Sequence, residues 1–81
     1  MRKITVYTKP NCVQCTATKR WLGRRQVPYE ETAIDKSPAI LEEAQQVGIG
    51  QAPIVRLSDQ NEQTLAMWGG FNPTLLNKYT Q

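Results

Sequence analysis

The chain has 81 residues, a formal net charge of +3 at pH 7, no histidine and two cysteines. A chain of this length supports one small hydrophobic core, so we expect a single domain over residues 1–81. The positive charge is mild, and most basic residues are spread along the chain, with one cluster at Lys19, Arg20, Arg24 and Arg25. Because nucleic-acid binders usually carry a denser basic face, this distribution argues against nucleic-acid binding. No signal-like leader, long apolar run or lipidation motif is evident, which predicts a cytoplasmic protein with no membrane association. We expect it to be a monomer.

Apolar periodicity and turn signals predict seven elements in the order βαβαββα. The predicted strands are Lys3–Thr8, Tyr29–Ile34, Ile54–Leu57 and Thr64–Trp68. The predicted helices are Val13–Arg25, a segment that begins at Ser37-Pro38 and stops at Gly48, and a short terminal helix that begins at Asn72-Pro73. The apolar face of the second helix is predicted to contain Ile40, Leu41, Ala44 and Val47.

The order of these elements predicts the architecture. A strand, a helix of about a dozen residues and a second strand form a βαβ unit, which implies parallel neighbouring strands and a right-handed crossover. The polar loop Ser58–Gln63 between the last two strands predicts an antiparallel hairpin. We therefore predict an α/β fold in which three helices flank a four-stranded mixed sheet.

Cys12-Val13-Gln14-Cys15 lies where the first strand and its turn give way to the first helix. Unpaired N–H groups and the helix dipole favour a thiolate at Cys12, and Cys15 lies one helical turn away, within reach of a disulfide. A disulfide that closes so short a loop stabilises a fold by only about 2 kcal/mol in the chain-entropy model, which favours a reactive pair over a structural one. We predict that Cys12 attacks a substrate disulfide and that Cys15 resolves the mixed disulfide. Val13 and Gln14 are expected to set the polarity around Cys12 and to contact the substrate or partner.

Two other interpretations of these residues stay open. Cysteines at this spacing are common zinc ligands, but zinc in structural sites has four ligands and the chain offers no histidine and no second pair. Zinc would therefore have to be shared between two chains, as in a non-catalytic binding module, and we expect no metal. Lys9, three residues before Cys12, either favours the thiolate by its charge or is an ordinary solvated lysine.

A C-x-x-C pair at the start of the first helix of a βαβ unit resembles the minimal, glutaredoxin-sized form of the thioredoxin fold. Sequence statistics alone favour a trans bond at Pro53. The resemblance instead implies that Pro53 is the cis-proline that lies opposite the dithiol, and it assigns a substrate contact to Ala52 and Pro53. In glutaredoxins, a lysine at the place of Lys9 is associated with glutathione binding.

Trp68-Gly69-Gly70-Phe71-Asn72-Pro73 is the second informative stretch. Together with Cys12–Cys15 and Ala17-Thr18-Lys19-Arg20, it resembles the NrdH-redoxins, small glutaredoxin-like proteins that behave like thioredoxins. The resemblance implies a dithiol–disulfide oxidoreductase without a bound cofactor, reduced by thioredoxin reductase with NADPH and supplying electrons to the large subunit of class Ib ribonucleotide reductase. It marks four residues as partner contacts, namely Trp68, Gly69, Gly70 and Phe71.

The same stretch departs from the family pattern, which usually reads W-S-G-F-R-P followed by an acid. Here Gly69, Asn72 and Thr74 occupy the serine, arginine and acidic positions. A Gly-Gly pair is also typical of glutaredoxins, although these commonly continue with an aspartate that holds the amino group of glutathione, and their active site more often reads C-P-Y-C. A glutathione-dependent glutaredoxin is therefore the alternative interpretation.

Overall fold

The structure is a computed structural model that describes residues 2–81, and within this range it has the predicted order βαβαββα. The strands are β1 (Lys3–Thr8), β2 (Glu30–Ala33), β3 (Ile54–Ser58) and β4 (Thr64–Gly69). The helices are α1 (Val13–Arg24), α2 (Pro38–Gln46) and α3 (Pro73–Thr80), and a 3₁₀ turn at Ile34–Lys36 precedes α2. None of the helices within residues 2–81 has the length and apolar character needed to cross a membrane.

The four strands form one mixed sheet in the order β2-β1-β3-β4. β1 runs parallel to β2, with Thr8 opposite Ala33, and antiparallel to β3, with Tyr7 opposite Ile54. β3 and β4 form an antiparallel hairpin in which Ile54 lies opposite Gly69. The predicted parallel pair, the predicted hairpin and the mixed sheet are therefore confirmed.

Side chains that alternate along the strands supply cores on both faces of the sheet, as expected for a pleat of period two. One core joins the sheet to α1 and α3 and contains Ile4, Val6, Leu22, Val55, Leu57, Trp68 and Leu76. The other joins the sheet to α2 and contains Tyr7, Ala44 and Ile54, with Ile40 and Leu41 packed against them. Helices therefore cover both faces of the sheet.

The element boundaries differ from the sequence prediction at three points. α1 ends at Arg24, and Arg25 is its cap. β2 begins at Glu30 and ends at Ala33. It ends there because its partner β1 ends at Thr8 and offers no further backbone groups to pair with. β3 and β4 each extend one residue further, to Ser58 and Gly69.

The prediction that Val47 belongs to the buried face of the second helix is wrong. α2 ends at Gln46, and Val47 is the cap residue, with a side chain that is 66% exposed. Gly48 follows with φ of +82°, a left-handed conformation that glycine adopts without steric cost and that ends the helix. The predicted stop at Gly48 is correct, but the chain already leaves the helical path one residue earlier.

Leu76 of α3 is fully buried in the core beneath α1, so truncation of its side chain leaves a cavity. We expect Leu76→Ala to lower the free energy of unfolding by about 2–5 kcal/mol. Val47→Ala is the matched control, and because its side chain is exposed we expect a change within about 0.5 kcal/mol. Urea denaturation of the reduced proteins measures both values. Similar losses in the two variants would contradict the packing described above.

Candidate active site

Cys12 and Cys15 form a disulfide at the N-terminal end of α1, and their Cα atoms are 5.2 Å apart. Cys12 is the N-cap residue, and its Sγ accepts a hydrogen bond from the backbone N–H of Cys15 at 3.1 Å. Cys15 is only 3% exposed, whereas Cys12 is partly exposed. Of the two sulfurs, that of Cys12 is therefore the more accessible, and it lies where a backbone donor stabilises negative charge.

The turn Lys9-Pro10-Asn11 leads from the end of β1 to Cys12. Asn11 adopts a left-handed φ of 57°, a conformation in which asparagine is enriched among residues other than glycine. The first turn of α1 carries no acidic residue, so no carboxylate there opposes a thiolate. Val13 follows Cys12 with its side chain 84% exposed, which gives the disulfide an apolar neighbour at the surface.

A carboxylate on β2 fixes α1 against the sheet near this turn. Glu31 accepts hydrogen bonds from Lys19 Nζ at 3.1 Å and from Thr8 Oγ1 at 3.0 Å. The bond from Lys19, followed by that from Thr8, holds the pKa of Glu31 below its usual value despite partial desolvation. The contact therefore joins α1, β2 and the end of β1, from which the turn to Cys12 begins.

The segment before β3 forms the opposite side of the site. The Ala52–Pro53 peptide bond is cis, as the resemblance to thioredoxin-like proteins implied, and both residues are buried. Because Tyr7 pairs with Ile54, Pro53 lies beside the end of β1. The carbonyl of Pro53 accepts a hydrogen bond from the N–H of Gly70 at 2.8 Å, which connects this segment to the end of β4.

A shallow groove of about 190 Å³ runs along this side of the site. Lys9 and Ala52 lie at the groove, together with Gln45 of α2 and Gln51. The structure thus places Lys9 and Ala52 on one surface. Gln51 was not identified from the sequence, because no spacing or turn signal distinguishes it from other polar loop residues.

The loop between β4 and α3 contacts the C-x-x-C segment directly. The side-chain Oε1 of Gln14 accepts a hydrogen bond from the backbone N–H of Phe71 at 2.9 Å. Gly70 has φ of +80°, and a Cβ atom there would lie 2.8 Å from both Gln14 Oε1 and Gln51 Nε2. The absence of a side chain at Gly70 therefore lets two glutamine side chains close over the loop.

Two departures from the NrdH-redoxin pattern have a structural explanation. A Cβ atom at Gly69 would lie 2.6 Å from Ile49 Cγ2 and 3.0 Å from the carbonyl oxygen of Gln51. The serine of the family pattern would therefore crowd the loop before Pro53. Asn72, at the arginine position, is the N-cap of α3, and its Oδ1 accepts the N–H of Leu75 at 3.1 Å.

The predicted partner contacts differ in accessibility. Phe71 is 36% exposed, whereas Trp68 is 8% exposed and stacks on Tyr79 with ring centroids 5.7 Å apart. Trp68 thus belongs to the core and holds β4 against α3. Within residues 2–81, no three Cys, His, Asp or Glu side chains are grouped so that they could hold a metal ion.

A disulfide between the N-cap residue and the third residue of a helix, in a βαβαββα fold, defines a thiol–disulfide oxidoreductase of the thioredoxin class. Comparison with known proteins agrees, since the model of the glutaredoxin family matches residues 4–61. The chain is 36% identical to the glutaredoxin-like protein NrdH of Escherichia coli K12 over 76 residues, which are 94% of this chain and 86% of that protein.

A second relative is the NrdH protein of Lactococcus lactis subsp. lactis, 33% identical over 75 residues, or 93% of this chain and 96% of that one. The solved structure of NrdH-redoxin from Escherichia coli superimposes with a TM-score of 0.77 at 33% identity, covering 98% of this chain and 96% of that chain. The chain therefore belongs to the NrdH group of the glutaredoxin family, and the resemblance found in the sequence is confirmed.

Two glycine variants test the closed loop around Gln14. We expect Gly70→Ala to lower the free energy of unfolding by about 1–3 kcal/mol, because alanine is disfavoured at this positive φ and its Cβ meets two side chains. Gly23→Ala in α1 is the control, since no atom lies within 4 Å of the added Cβ. We expect it to stabilise the protein by about 0.5–1 kcal/mol through helix propensity. Urea denaturation measures both, and effects of equal sign would contradict this description.

Proposed function

We propose that this protein is an electron carrier that thioredoxin reductase reduces with NADPH and that in turn reduces class Ib ribonucleotide reductase, thereby supporting deoxyribonucleotide synthesis. The observation that carries the choice of donor is the hydrogen bond from the Phe71 N–H to Gln14. Disulfide exchange at Cys12 and Cys15 is the chemistry on which this proposal is built.

In the proposed reaction, the Cys12 thiolate attacks one sulfur of the acceptor disulfide and releases the other sulfur as a thiolate. The Cys15 thiol then loses its proton and attacks the mixed disulfide, which forms the Cys12–Cys15 bond and releases the acceptor as a dithiol. Two electrons pass to the acceptor in one cycle. Thioredoxin reductase supplies two electrons from NADPH to open the Cys12–Cys15 disulfide again.

The accessibility of the two sulfurs supports these roles. Cys12 is partly exposed, and its Sγ lies next to the backbone N–H of Cys15, so it is suited to attack. Cys15 is buried one turn inside the helix, so we assign it the attack on Cys12 Sγ that displaces the acceptor sulfur as the leaving group. The exposed side chains of Val13 and Phe71 offer a surface to an acceptor polypeptide, and we propose that Ala52, which lines the groove with Lys9, contacts it as well.

The start of α3 offers little to the carboxylate of a glutathione molecule. Anions bind at helix N-termini through free N–H groups, but the N–H of Phe71 already donates to Gln14. The N–H of Leu75 donates to the side chain of Asn72, and Pro73 has no N–H. Two of the donors that could hold a glutathione carboxylate at this end of α3 are therefore satisfied within the protein, and Pro73 supplies none.

The description of one relative supports this choice of donor. The NrdH-redoxin of Escherichia coli is described as having a thioredoxin-like activity profile. We extend that profile to this chain, because the similarity covers nearly all of it and the C-x-x-C segment contacts the loop after β4. Lys9 lies at the groove beside Ala52 and is proposed to contact the acceptor rather than glutathione.

The donor is tested by following NADPH oxidation in two coupled systems at equal protein concentration. We expect saturable turnover with thioredoxin reductase when the oxidised large subunit of class Ib ribonucleotide reductase is the acceptor. With glutathione and glutathione reductase, we expect less than about a tenth of that rate. Turnover only with glutathione would overturn the proposed donor. Stoichiometric zinc in the reduced protein, together with a dimeric mass, would instead support the metal-binding module.

The roles of the two cysteines are tested with single serine variants. We expect Cys15→Ser to accumulate a mixed disulfide between Cys12 and the acceptor, because no second thiol is present to resolve it. Cys12→Ser is the control, and we expect it to accumulate none, since Cys15 is buried. Non-reducing electrophoresis and intact-mass measurement detect the adduct. An adduct that forms only in Cys12→Ser would reverse the two roles.

A further inference from the structure

A groove of about 210 Å³ runs along the exposed side of α1, and of its lining residues the function proposed above uses only Phe71. We call it the α1 groove, and it is lined by Ala17, Arg20, Trp21, Arg24, Arg25 and Phe71. Three of these six residues are arginines with exposed side chains. The groove therefore combines apolar surface with a concentration of positive charge.

The charge of the α1 groove is not neutralised by acidic side chains on the same helix, because α1 contains no aspartate or glutamate. Within residues 2–81, the ion pairs of the structure are Lys3–Glu62 and Lys19–Glu31, and neither includes a groove arginine. The guanidinium groups thus remain available for carboxylates of another molecule. Arginine suits this purpose because its planar group binds a carboxylate with two parallel hydrogen bonds.

Two aromatic rings give the α1 groove a place for an apolar side chain. The guanidinium carbon of Arg25 lies 4.0 Å from the centroid of the Trp21 ring, which holds both groups in a fixed arrangement. Phe71 is 36% exposed at the groove. Aromatic residues and arginine beside one another are the composition typical of energetically important positions in protein interfaces.

The α1 groove lies on the helix that carries the two cysteines, and it includes Phe71, whose N–H donates to Gln14 between them. Val13, Ala17, Arg20 and Arg24 recur at intervals of three or four residues and therefore share one side of α1. Val13 is the residue next to Cys12, and Phe71 is bound through its N–H to Gln14. A polypeptide whose sulfur is attached to Cys12 therefore has an open path along α1 from Val13 to Arg24.

The rise of a helix fixes the spacing that such a polypeptide requires. At 1.5 Å per residue, Arg20 lies about 12 Å and Arg24 about 18 Å along α1 from Cys12. An extended chain advances about 3.3 Å per residue, so these distances correspond to roughly four to six residues. Carboxylates at those positions, counted from the reacting cysteine, would reach the two arginines.

We propose that the α1 groove binds an acidic segment of the protein whose disulfide reacts with Cys12. The segment carries aspartate or glutamate four to six residues from the reacting cysteine and an aromatic or aliphatic side chain that packs on Trp21 and Phe71. That the protein containing this segment is a disulfide partner rests on the proposed function. Binding of the acidic segment to the α1 groove does not depend on that function. A peptide is favoured over nucleic acid because the remaining positive charge of the chain is dispersed rather than continuous with the groove.

Binding is tested without redox chemistry, using the full-length oxidised protein and two labelled peptides of about ten residues that contain no cysteine. One peptide carries three glutamates around a phenylalanine, and the other carries glutamines in their place. At low salt we expect the acidic peptide to bind about tenfold more tightly, and we expect about 1 M salt, where the Debye length is about 3 Å, to abolish the difference. Fluorescence anisotropy measures both affinities.

Matched charge variants locate the interaction. We expect Arg20→Gln/Arg24→Gln to lose most of the preference for the acidic peptide. Arg2→Gln/Lys36→Gln removes the same charge from exposed positions outside the α1 groove, and we expect it to keep the preference. Equal losses in both double variants would overturn the proposal, because only net charge would then matter. Tighter binding of a single-stranded oligonucleotide than of the acidic peptide would overturn it as well.

A kinetic experiment separates this proposal from the proposed function. Two peptide disulfides have the same sequence except at four to six residues from the cysteine, where one carries glutamate and the other glutamine. The kcat/KM of this protein for each peptide is measured with thioredoxin reductase and NADPH. We expect about a tenfold preference for glutamate that Arg20→Gln/Arg24→Gln removes. Turnover without a preference for glutamate would contradict the proposal that the α1 groove binds an acidic segment, but it would remain consistent with the electron-carrier function. Peptide binding as expected, but without turnover, would support the groove and overturn the carrier function.

Discussion

The direction of three adjacent strands determines where every part of the site lies. β1 and β4 both run antiparallel to β3. The C-terminal ends of β1 and β4 therefore lie beside the N-terminal end of β3, at the same end of the sheet. The turn to Cys12 leaves β1 there, Pro53 enters β3 there, and Gly70 follows β4 there. Segments far apart in the sequence are thus brought together by strand pairing, before any side chain of the site forms a contact.

The hydrogen bond between Gln14 and the Phe71 N–H contributes little free energy, but it fixes the position of the loop after β4. A hydrogen bond of this kind contributes about 0.5–1.5 kcal/mol net, which is little beside the burial of one core leucine. Its effect is positional, because it joins the segment between the two cysteines to the loop that precedes α3. It also occupies a donor that an anionic ligand would need. The same contact therefore supports the loop geometry and is the observation on which the proposed protein donor rests.

Local signals in the sequence were sufficient for the order of elements and for the placement of Cys12 at a helix start. Periodicity and the two Ser-Pro and Asn-Pro start signals act within a few residues, so they are visible in the chain itself. The last residue of β2 cannot be predicted from local sequence, because it depends on where β1 ends. Val47 was misassigned because apolar spacing continues past the last helical residue.

The contacts that complete the site were the least predictable part. Gln14 and Phe71 are 57 residues apart, and nothing local to either residue indicates their hydrogen bond. Gln51 belongs to the site because it lies at the groove beside Ala52 and because its side chain occupies the space at Gly70, and both contacts depend on the fold. The cis bond before Pro53 opposes the general statistics of proline, so it followed from the resemblance to a known family rather than from the residues. Long-range contacts of this kind require a fold, or a relative, before they can be assigned.

The charges near the disulfide divide into two groups by distance. The backbone N–H of Cys15 lies 3.1 Å from Cys12 Sγ and acts directly on the charge of that sulfur. Arg20 and Arg24 lie about 12 and 18 Å along the helix, beyond the Debye length of about 8 Å at physiological ionic strength. Through solvent, their effect on the Cys12 thiolate is therefore weak, while a carboxylate that docks in the α1 groove contacts them at short range. The groups that act on the Cys12 sulfur thus lie at the helix start, whereas the proposed role of the arginines further along α1 is in the choice and the orientation of the partner.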